Sequence, residues 1–320
     1  MKKIPLVIAG PTASGKTNLA LALAKNCGGQ IISADSRQVY KLLSVGTAAP
    51  AGAWQNGDYI AEGVPYRLVD FLDVDKRFDA SRFALCARDF FARAQNAAPP
   101  MPTIFCGGTG MYLQGYFCGF DKLPAADEDL RRRLHALALE RGKEHLHSIL
   151  KQKDAEAAAQ IPPANLHRVM RALEICLLSG KKVSSLRTGK FHAGLPSGKA
   201  RYIYLNWDKE LLNKRIIERG ELIFPSMEKE IKKVLSLGYK EDCAGLKSLG
   251  YQEVLAYLKG DMSKKEALER LIISTRQYAK RQRTWFSRYK NMTVIDVKDA
   301  RDFDARKLAS YLEDIWDSSL

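Results

Sequence analysis

A chain of 320 residues, 46% hydrophobic and 27% charged, falls in the globular range, long enough for one large α/β domain plus an added module, which excludes a disordered or fibrous class. Lys plus Arg number 51 against 36 Asp plus Glu, a net charge of +15 spread through the chain, so polyanions are the default partners. No stretch approaches the roughly 18 consecutive apolar residues of a membrane span, which excludes a transmembrane helix.

The first ten residues, "MKKIPLVIAG", place two lysines before an apolar run as a signal peptide does, but the run breaks at Gly10-Pro11 and leads into a glycine-rich loop. A buried first strand over Lys3 to Ala9 is the better reading. The loop "GPTASGKT" follows, then "KTNLALALAKN" with Leu19, Ala20, Leu23 and Ala24 at helical spacing, giving strand, loop, helix. The runs "GQIISAD" and "PTIFCGG" read as further strands, with the amphipathic helix "ASRFALCARDFFARAQ" between them. Such alternation predicts an α/β fold with a P-loop NTPase-like parallel sheet flanked by helices. From 121 to 199 helix follows helix: "DEDLRRRLHALALERG" sets Leu130, Leu134 and Leu137 on one face, and "NLHRVMRALEICLLSG" does so with Leu166, Val169, Met170, Leu173 and Leu177 before stopping at Gly180. An all-helical insertion over 121–199 is predicted to interrupt a core made of 1–120 and 200–320. "ARYIYLNW" returns as a strand, and Ser263 with Glu266 predicts a capping box opening the long helix "SKKEALERLIISTRQYAKRQRTWFSRYK". A last helix ends the chain. The six cysteines show no C-x-x-C spacing and the five histidines no metal-ligand spacing, so reduced thiols are expected, with neither zinc nor disulfides.

Gly10 to Thr17 matches G-x-x-x-x-G-K-[ST] at every position, a pattern that chance supplies about one time in a hundred at this length. Its glycines let backbone N–H groups converge on phosphate oxygens, Lys16 adds a charge, and the Thr17 hydroxyl is a Mg²⁺ ligand. Asp35 and Ser36 end the second strand at the carboxyl edge of the sheet, where open α/β folds bind ligands. An acid there either accepts a proton from a nucleophile or caps a turn. Gly107, Gly108 and Gly110 with Thr109 end the third strand at the same edge. His167, Arg168 and Arg171 lie off the apolar face of the insertion helix. Arg276, Lys280, Arg281, Arg283, Arg288 and Lys290 mix with Tyr278, Trp285, Phe286 and Tyr289 in the long helix. That mixture suits a phosphate backbone and exposed bases, or equally a solvated face over core aromatics. On the residues alone the loop takes ATP or another diphosphate. A P-loop kinase of a nucleoside or small metabolite and an RNA-binding NTPase remain alternatives.

"GPTASGKT", "SADSRQVY", "VGTAAP", "GGTGMYL", "HRVMRALEI", "LGYQEVLAYL" and "TRQYAKRQRTWF", in that order, resemble the tRNA dimethylallyltransferase family over nearly the whole chain. The resemblance implies transfer of a dimethylallyl group from dimethylallyl diphosphate to N6 of the adenosine just 3′ of the anticodon, in tRNAs reading codons that begin with U. It implies that Gly10, Pro11, Thr12, Ala13, Ser14, Gly15, Lys16 and Thr17 cradle the donor diphosphate, with Arg215 and Arg219 reaching it from the far side. Thr17 would help hold Mg²⁺, and Lys16, Thr17 and the general base Asp35 would be catalytic. Asp35, Ser36, Arg37, Gln38 and Thr109 match positions that touch tRNA, as do His167, Arg168, Val169, Met170 and Arg171, and then Lys247, Ser248, Leu249, Gly250, Tyr251 and Gln252. Arg276, Lys280 and Arg283 of the basic helix join them as tRNA-binding candidates, and the insertion would grip the anticodon stem-loop. A monomeric, cytoplasmic, bacterial-type enzyme is expected, with tRNA and dimethylallyl diphosphate as partners and no membrane association. The chain departs from the family at Ala49, where Lys is usual, at Asp154-Ala155, where Asp-Pro is usual, and at "GELIFPSMEKEI", which follows "KRIIER" and puts the register of Arg215 and Arg219 in question.

Overall fold

The protein, seen in a computed structural model that describes residues 4–188 and 194–317, divides into two compact units: Met1–Phe117 with Gly194–Leu320, and Cys118–Ala193. In the first unit β1 (Leu6–Ala9) is buried at every residue, as a strand covered on both faces must be. Lys3, where the predicted strand starts, lies outside the described residues. The glycine loop leads to α1 (Lys16–Cys27), then to β2 (Gln30–Ser33). An antiparallel meander of β3 (Ala53–Gln55), β4 (Asp58–Ala61) and β5 (Val64–Arg67) comes next. α2 (Ala80–Asn96), β6 (Thr103–Gly107) and α3 (Gly110–Cys118) complete this stretch. The second unit supplies α4 (Glu128–Arg141), α5 (Lys143–Lys153), α6 (Ala155–Gln160), α7 (Leu166–Ser179) and α8 (Val183–Leu186). The chain returns with β7 (Arg201–Trp207), α9 (Lys209–Ser236), α10 (Tyr251–Leu258), α11 (Lys264–Phe286), β8 (Thr293–Val297) and α12 (Ala305–Asp317).

The sheet runs β3-β4-β5-β2-β6-β1-β7-β8. From β5 to β8 every pairing is parallel, which bears out the predicted α/β class. The meander and β8 were not predicted: these strands are only three to five residues long, and β3 is exposed throughout, so neither carries a buried apolar run. Because β6 lies between β2 and β1, the loops leaving all three emerge side by side at one edge, a crevice of the kind that binds ligands in open α/β sheets. One face of the sheet packs on α1, whose Leu19 and Leu23 share a core with Leu312 and Trp316 of α12.

A further core joins α9, α10 and α11 to Val39 and Leu43. The atypical "GELIFPSMEKEI" segment does not break α9, which runs unbroken for 28 residues with Pro225 inside it. Pro225 is exposed, so the carbonyl that its missing N–H leaves free lies on the solvent side of the helix. Ser263 and Glu266 form the predicted capping box at the start of α11.

In the second unit Asp127 caps α4, Asn165 caps α7, and Gly180 ends α7 in the left-handed region at φ 67°. Its core contains Leu134, Leu146, Val169 and Leu173. Leu177, expected on the apolar face, is instead 44% exposed, since the helix turns it past the edge of that core. No described helix is long and apolar enough to cross a membrane.

Candidate active site

The loop from Gly10 to Thr17 is fastened from behind. Trp207 Nε1 donates to the Ser14 carbonyl at 3.0 Å and Arg215 Nε to the Ala13 carbonyl at 2.8 Å, while the Arg215 guanidinium stacks 4.5 Å from the Trp207 ring centroid. Gly15 is required twice over: its φ is +80°, and a Cβ there would meet Phe303 at 2.6 Å. Gly15 gives α1 no side-chain cap, so the first-turn N–H groups lack intrahelical acceptors and face an anion site with the positive end of the helix. Ser14 Oγ is buried with no partner among the described residues.

Three cations surround this end of the sheet. Lys16 Nζ donates to the Pro11 carbonyl at 2.6 Å. Burial pushes its pKa below the ordinary lysine value, and the negative charge of Asp35 offsets this only in part. Burial likewise lowers Arg219, whose guanidinium donates to Thr12 Oγ1 at 3.2 Å. Arg215 is lowered by the same cause. Despite the altered segment that follows them, Arg215 and Arg219 both lie against the loop on the unbroken α9.

Asp35 follows β2. Its Oδ1 accepts the Arg37 N–H at 2.8 Å, a local turn, and among the described residues nothing hydrogen-bonds Oδ2. The Thr109 N–H donates to the Ala34 carbonyl, and Thr109 Oγ1 accepts the Ser36 N–H, both at 3.1 Å. Tyr278 on α11 lies beside Thr109. Burial raises its pKa above the ordinary tyrosine value, and the charge of Asp35 adds to the rise.

Two cavities meet here. One, of about 370 Å³, is lined by the loop from Thr12 to Asn18, by Thr47 to Ala51, and by Cys106, Arg215 and Gln282. The other, of about 320 Å³, is lined by Ser36, Arg37, Lys247, Ser248, Leu249, Tyr278 and Arg281. Thr12, Asp35, Thr47 and Arg219 line both and form the neck between them. Ala49 lines the first cavity and packs on the sheet core.

Several candidates from the sequence are thus brought together, and others are not. Gly10 and Pro11 are buried beneath the loop. Gln38 does line the first cavity, though it is only 7% exposed and its amide is engaged at both ends: Oε1 accepts from Ser33 Oγ, and Nε2 donates to the Ala48 carbonyl. Tyr251 is fully buried, its hydroxyl lying 2.6 Å from the Glu230 carboxylate, a place within the core of the fold. Gly250 is buried too, and Gln252 Nε2 bonds the Leu246 carbonyl. Arg276 and Lys280 are exposed and Arg283 half-buried, and none of the three lines either cavity. In the second unit His167 and Arg168 are exposed and Met170 is half-buried, while Val169 lies in the core. Arg171 is engaged by the buried Glu174 and by the Pro124 carbonyl, a structural use that its place off the apolar face did not reveal. Thr47, Gln282 and the pocket faces of Tyr278 and Arg281 were missed as site residues. Tyr278, Arg281 and Gln282 share one face of α11 at helical spacing, the signal that would have found them.

None of the six cysteines, all of them among the described residues, is in a disulfide. No group of three or more His, Cys, Asp or Glu side chains among the described residues forms a metal site. The oxygen donors at the loop, Thr17 and Asp35, fit a hard cation that shares its coordination with a bound diphosphate and water.

A family model described as IPP transferase matches residues 38–289, and one described as isopentenyl transferase matches residues 4–57. The chain is 53% identical over 292 residues to a tRNA dimethylallyltransferase of Elusimicrobium minutum, covering 91% of this chain and 94% of that one. It is 36% identical over 320 residues to the enzyme of the same name from Clostridioides difficile, covering 98% and 99%. Among solved structures, the tRNA isopentenylpyrophosphate transferase of Bacillus halodurans superposes with a TM-score of 0.67 at 31% identity, covering 99% of this chain and 98% of that one.

Proposed function

The chain belongs to the tRNA dimethylallyltransferase family, and on that premise we propose that it moves the dimethylallyl group of dimethylallyl diphosphate to N6 of the adenosine 3′ of the anticodon, in tRNAs reading codons that begin with U. Asp35 carries this reading: it lies at a neck shared by a cation-lined cavity behind the phosphate loop and a second cavity with aromatic and basic walls. A diphosphate in the first and a purine in the second would meet at a carboxylate with one free oxygen. His167, Arg168, Arg276 and Lys280, all exposed cations or a histidine, would meet the RNA backbone. A flat response of tRNA affinity to salt would remove them from the reading.

In the transfer the N6 lone pair attacks C1 of the dimethylallyl group, the C1–O bond breaks, and its electron pair leaves on the diphosphate. The N6 proton passes to Asp35, whose Oδ2 has no competing partner among the described residues. General-base assistance of this kind is typically worth about 10²–10⁴-fold. The uncapped start of α1, Lys16 and Arg219 are fixed donors facing the charge that grows on the leaving group. Lys16 and Arg219, disfavoured as cations by burial, would gain the counter-charge they lack when the donor binds. Mg²⁺, when bound through Thr17 and the donor, would neutralise further negative charge on the diphosphate. The enzyme would act as a monomer where tRNA is found, in the cytoplasm.

The test is incubation of purified protein with Mg²⁺, labelled dimethylallyl diphosphate and unmodified tRNA, with ATP and AMP run in parallel as alternative donor and acceptor. Label recovered as N6-(dimethylallyl)adenosine at the position after the anticodon supports the reading. Label entering only AMP overturns the acceptor, and ATP consumption without prenyl transfer overturns the donor.

A further inference from the structure

Helix α11 reaches the phosphate loop through one side chain. Gln282 is 4% exposed; its Oε1 accepts the Thr12 N–H at 2.8 Å and its Nε2 donates to the Gly108 carbonyl at 3.0 Å. The two partners fix the amide's orientation, since only oxygen serves a backbone N–H and only nitrogen a carbonyl. Gly108 leaves room for nothing else, because a Cβ there would lie 1.9 Å from Nε2. Thr12 is held at both ends, by Gln282 at its backbone and by Arg219 at its hydroxyl, and it is a neck residue. Gln282 itself lines the first cavity, while Tyr278 and Arg281 on the same helix line the second.

We propose that Gln282 is a positioning residue for the transfer: by spanning Thr12 and Gly108 it sets the width of the neck across which the acceptor nitrogen approaches the donor carbon. The inference rests on the function proposed above. With its N–H bonded to Gln282, Thr12 contributes only a hydroxyl to the neck, and the diphosphate meets the N–H groups that follow it. A misplacement of about 1 Å between reacting groups costs about 10²-fold, so an amide that fixes this spacing acts on kcat and leaves acceptor binding alone.

Two variants separate this role from plain packing. Gln282→Met keeps shape and burial but removes both hydrogen bonds. Gln282→Glu keeps an oxygen for the Thr12 N–H and turns the donor to Gly108 into a carboxyl that donates only when protonated. Prenyl transfer to unmodified tRNA is measured at saturating donor from about pH 6 to about pH 9, together with the KM for tRNA and the thermal midpoint. Gln282→Met is expected to lose about 10²-fold in kcat with KM for tRNA close to wild type, and its thermal midpoint is expected to fall because the Thr12 N–H and the Gly108 carbonyl are left unpaired. Gln282→Glu is expected to regain activity as the pH falls and its buried carboxyl takes up a proton, a recovery that wild type and Gln282→Met lack. Wild-type kcat in Gln282→Met overturns the proposal. So does a flat pH profile in Gln282→Glu, whether or not Gln282→Met folds. An inactive wild-type protein would overturn the proposed function instead.

Discussion

Buried charge is treated in opposite ways in the two units. In the helical unit the fully buried Glu174 is surrounded: Arg131 and Arg171 pair with it, and the Asp127 N–H donates to it at 2.8 Å. Burial alone would raise its pKa, yet the hydrogen bonds from Arg171, Asp127 and Arg131 overcome this and hold the carboxyl below the ordinary glutamate value. At the phosphate loop, among the described residues, Lys16 has one carbonyl, Arg219 one hydroxyl and Asp35 one N–H, and burial disfavours both cations. A charge with a full set of partners belongs to the fold, whereas one left short marks where a ligand supplies the remainder.

Substitution at each region should therefore fail in a different way. Asp35→Asn is expected to cost about 10²–10⁴-fold in kcat while stability stays within about 0.5 kcal/mol of wild type. A large loss of stability in a chemical-denaturation curve would put Asp35 among the structural charges and break the contrast. Glu174→Ala should do the reverse. Removing one member of a buried ion pair costs about 3–5 kcal/mol, and with both arginines partly exposed the low end, about 3 kcal/mol, is expected. Faster hydrogen exchange in α4 and α7 is the measurement. The pH dependence has a definite sign: a carboxyl with a depressed folded pKa contributes its full stability above the ordinary glutamate range and loses it as pH falls through and below that range. Protection in α7 that rises on acidification would contradict the assignment.

The contrast was only half legible in the sequence. The loop motif, Asp35 and Thr109 were readable because each ends a strand and carries local chemistry, and the predicted parallel sheet brings those strand ends to one edge. Of the partners of Glu174, Arg171 stands three residues before it on α7, a spacing open to view, whereas Asp127 and Arg131 come from the start of α4, which only the fold brings to it. The same holds for Gln282, whose bonds to Thr12 and Gly108 span most of the chain. Arg171 and Tyr251 show the converse. A cation beside a helix face and an aromatic in a family-like segment read as ligand contacts in the sequence, and the fold gives each a carboxylate partner that the sequence reading did not supply. β8 and the meander escaped because strands this short have too few residues to display a period.

Lys16→Met sharpens the comparison from the loop side. Hydrogen bonds to a charged group contribute about 1.5–3 kcal/mol, so affinity for dimethylallyl diphosphate should fall by about 10- to 100-fold, measured by competition or calorimetry. Without donor, the variant should be as stable as wild type or more so, because it removes a desolvated charge with a single partner. A lysine whose folded pKa is depressed opposes folding most at neutral pH and ceases to do so as pH rises towards the ordinary lysine range. Any stability gained by Lys16→Met should therefore be largest near neutrality and shrink in alkali. A variant that unfolds more readily than wild type at neutral pH would mean that Lys16 is satisfied as Glu174 is.

The smallest effect concerns Cys106, which ends β6, lines the first cavity and is buried. Burial pushes its thiol up to about 11, and the charge of Lys16 opposes that rise. Since the thiolate is the nucleophile, Cys106 should react with iodoacetamide at about pH 8 more slowly than the half-buried Cys86, read peptide by peptide by mass spectrometry. Inorganic pyrophosphate in the cavity should slow it further. It would cover the site and, by neutralising Lys16, remove the one charge that favours the thiolate. Lys16→Met removes that charge as well but leaves the cavity open, so it should reproduce part of the slowing without any ligand. If pyrophosphate leaves the Cys106 rate untouched while protecting nothing else in the loop, the anion does not sit between Lys16 and the end of β6, and the under-partnered charges at this edge of the sheet await some other group.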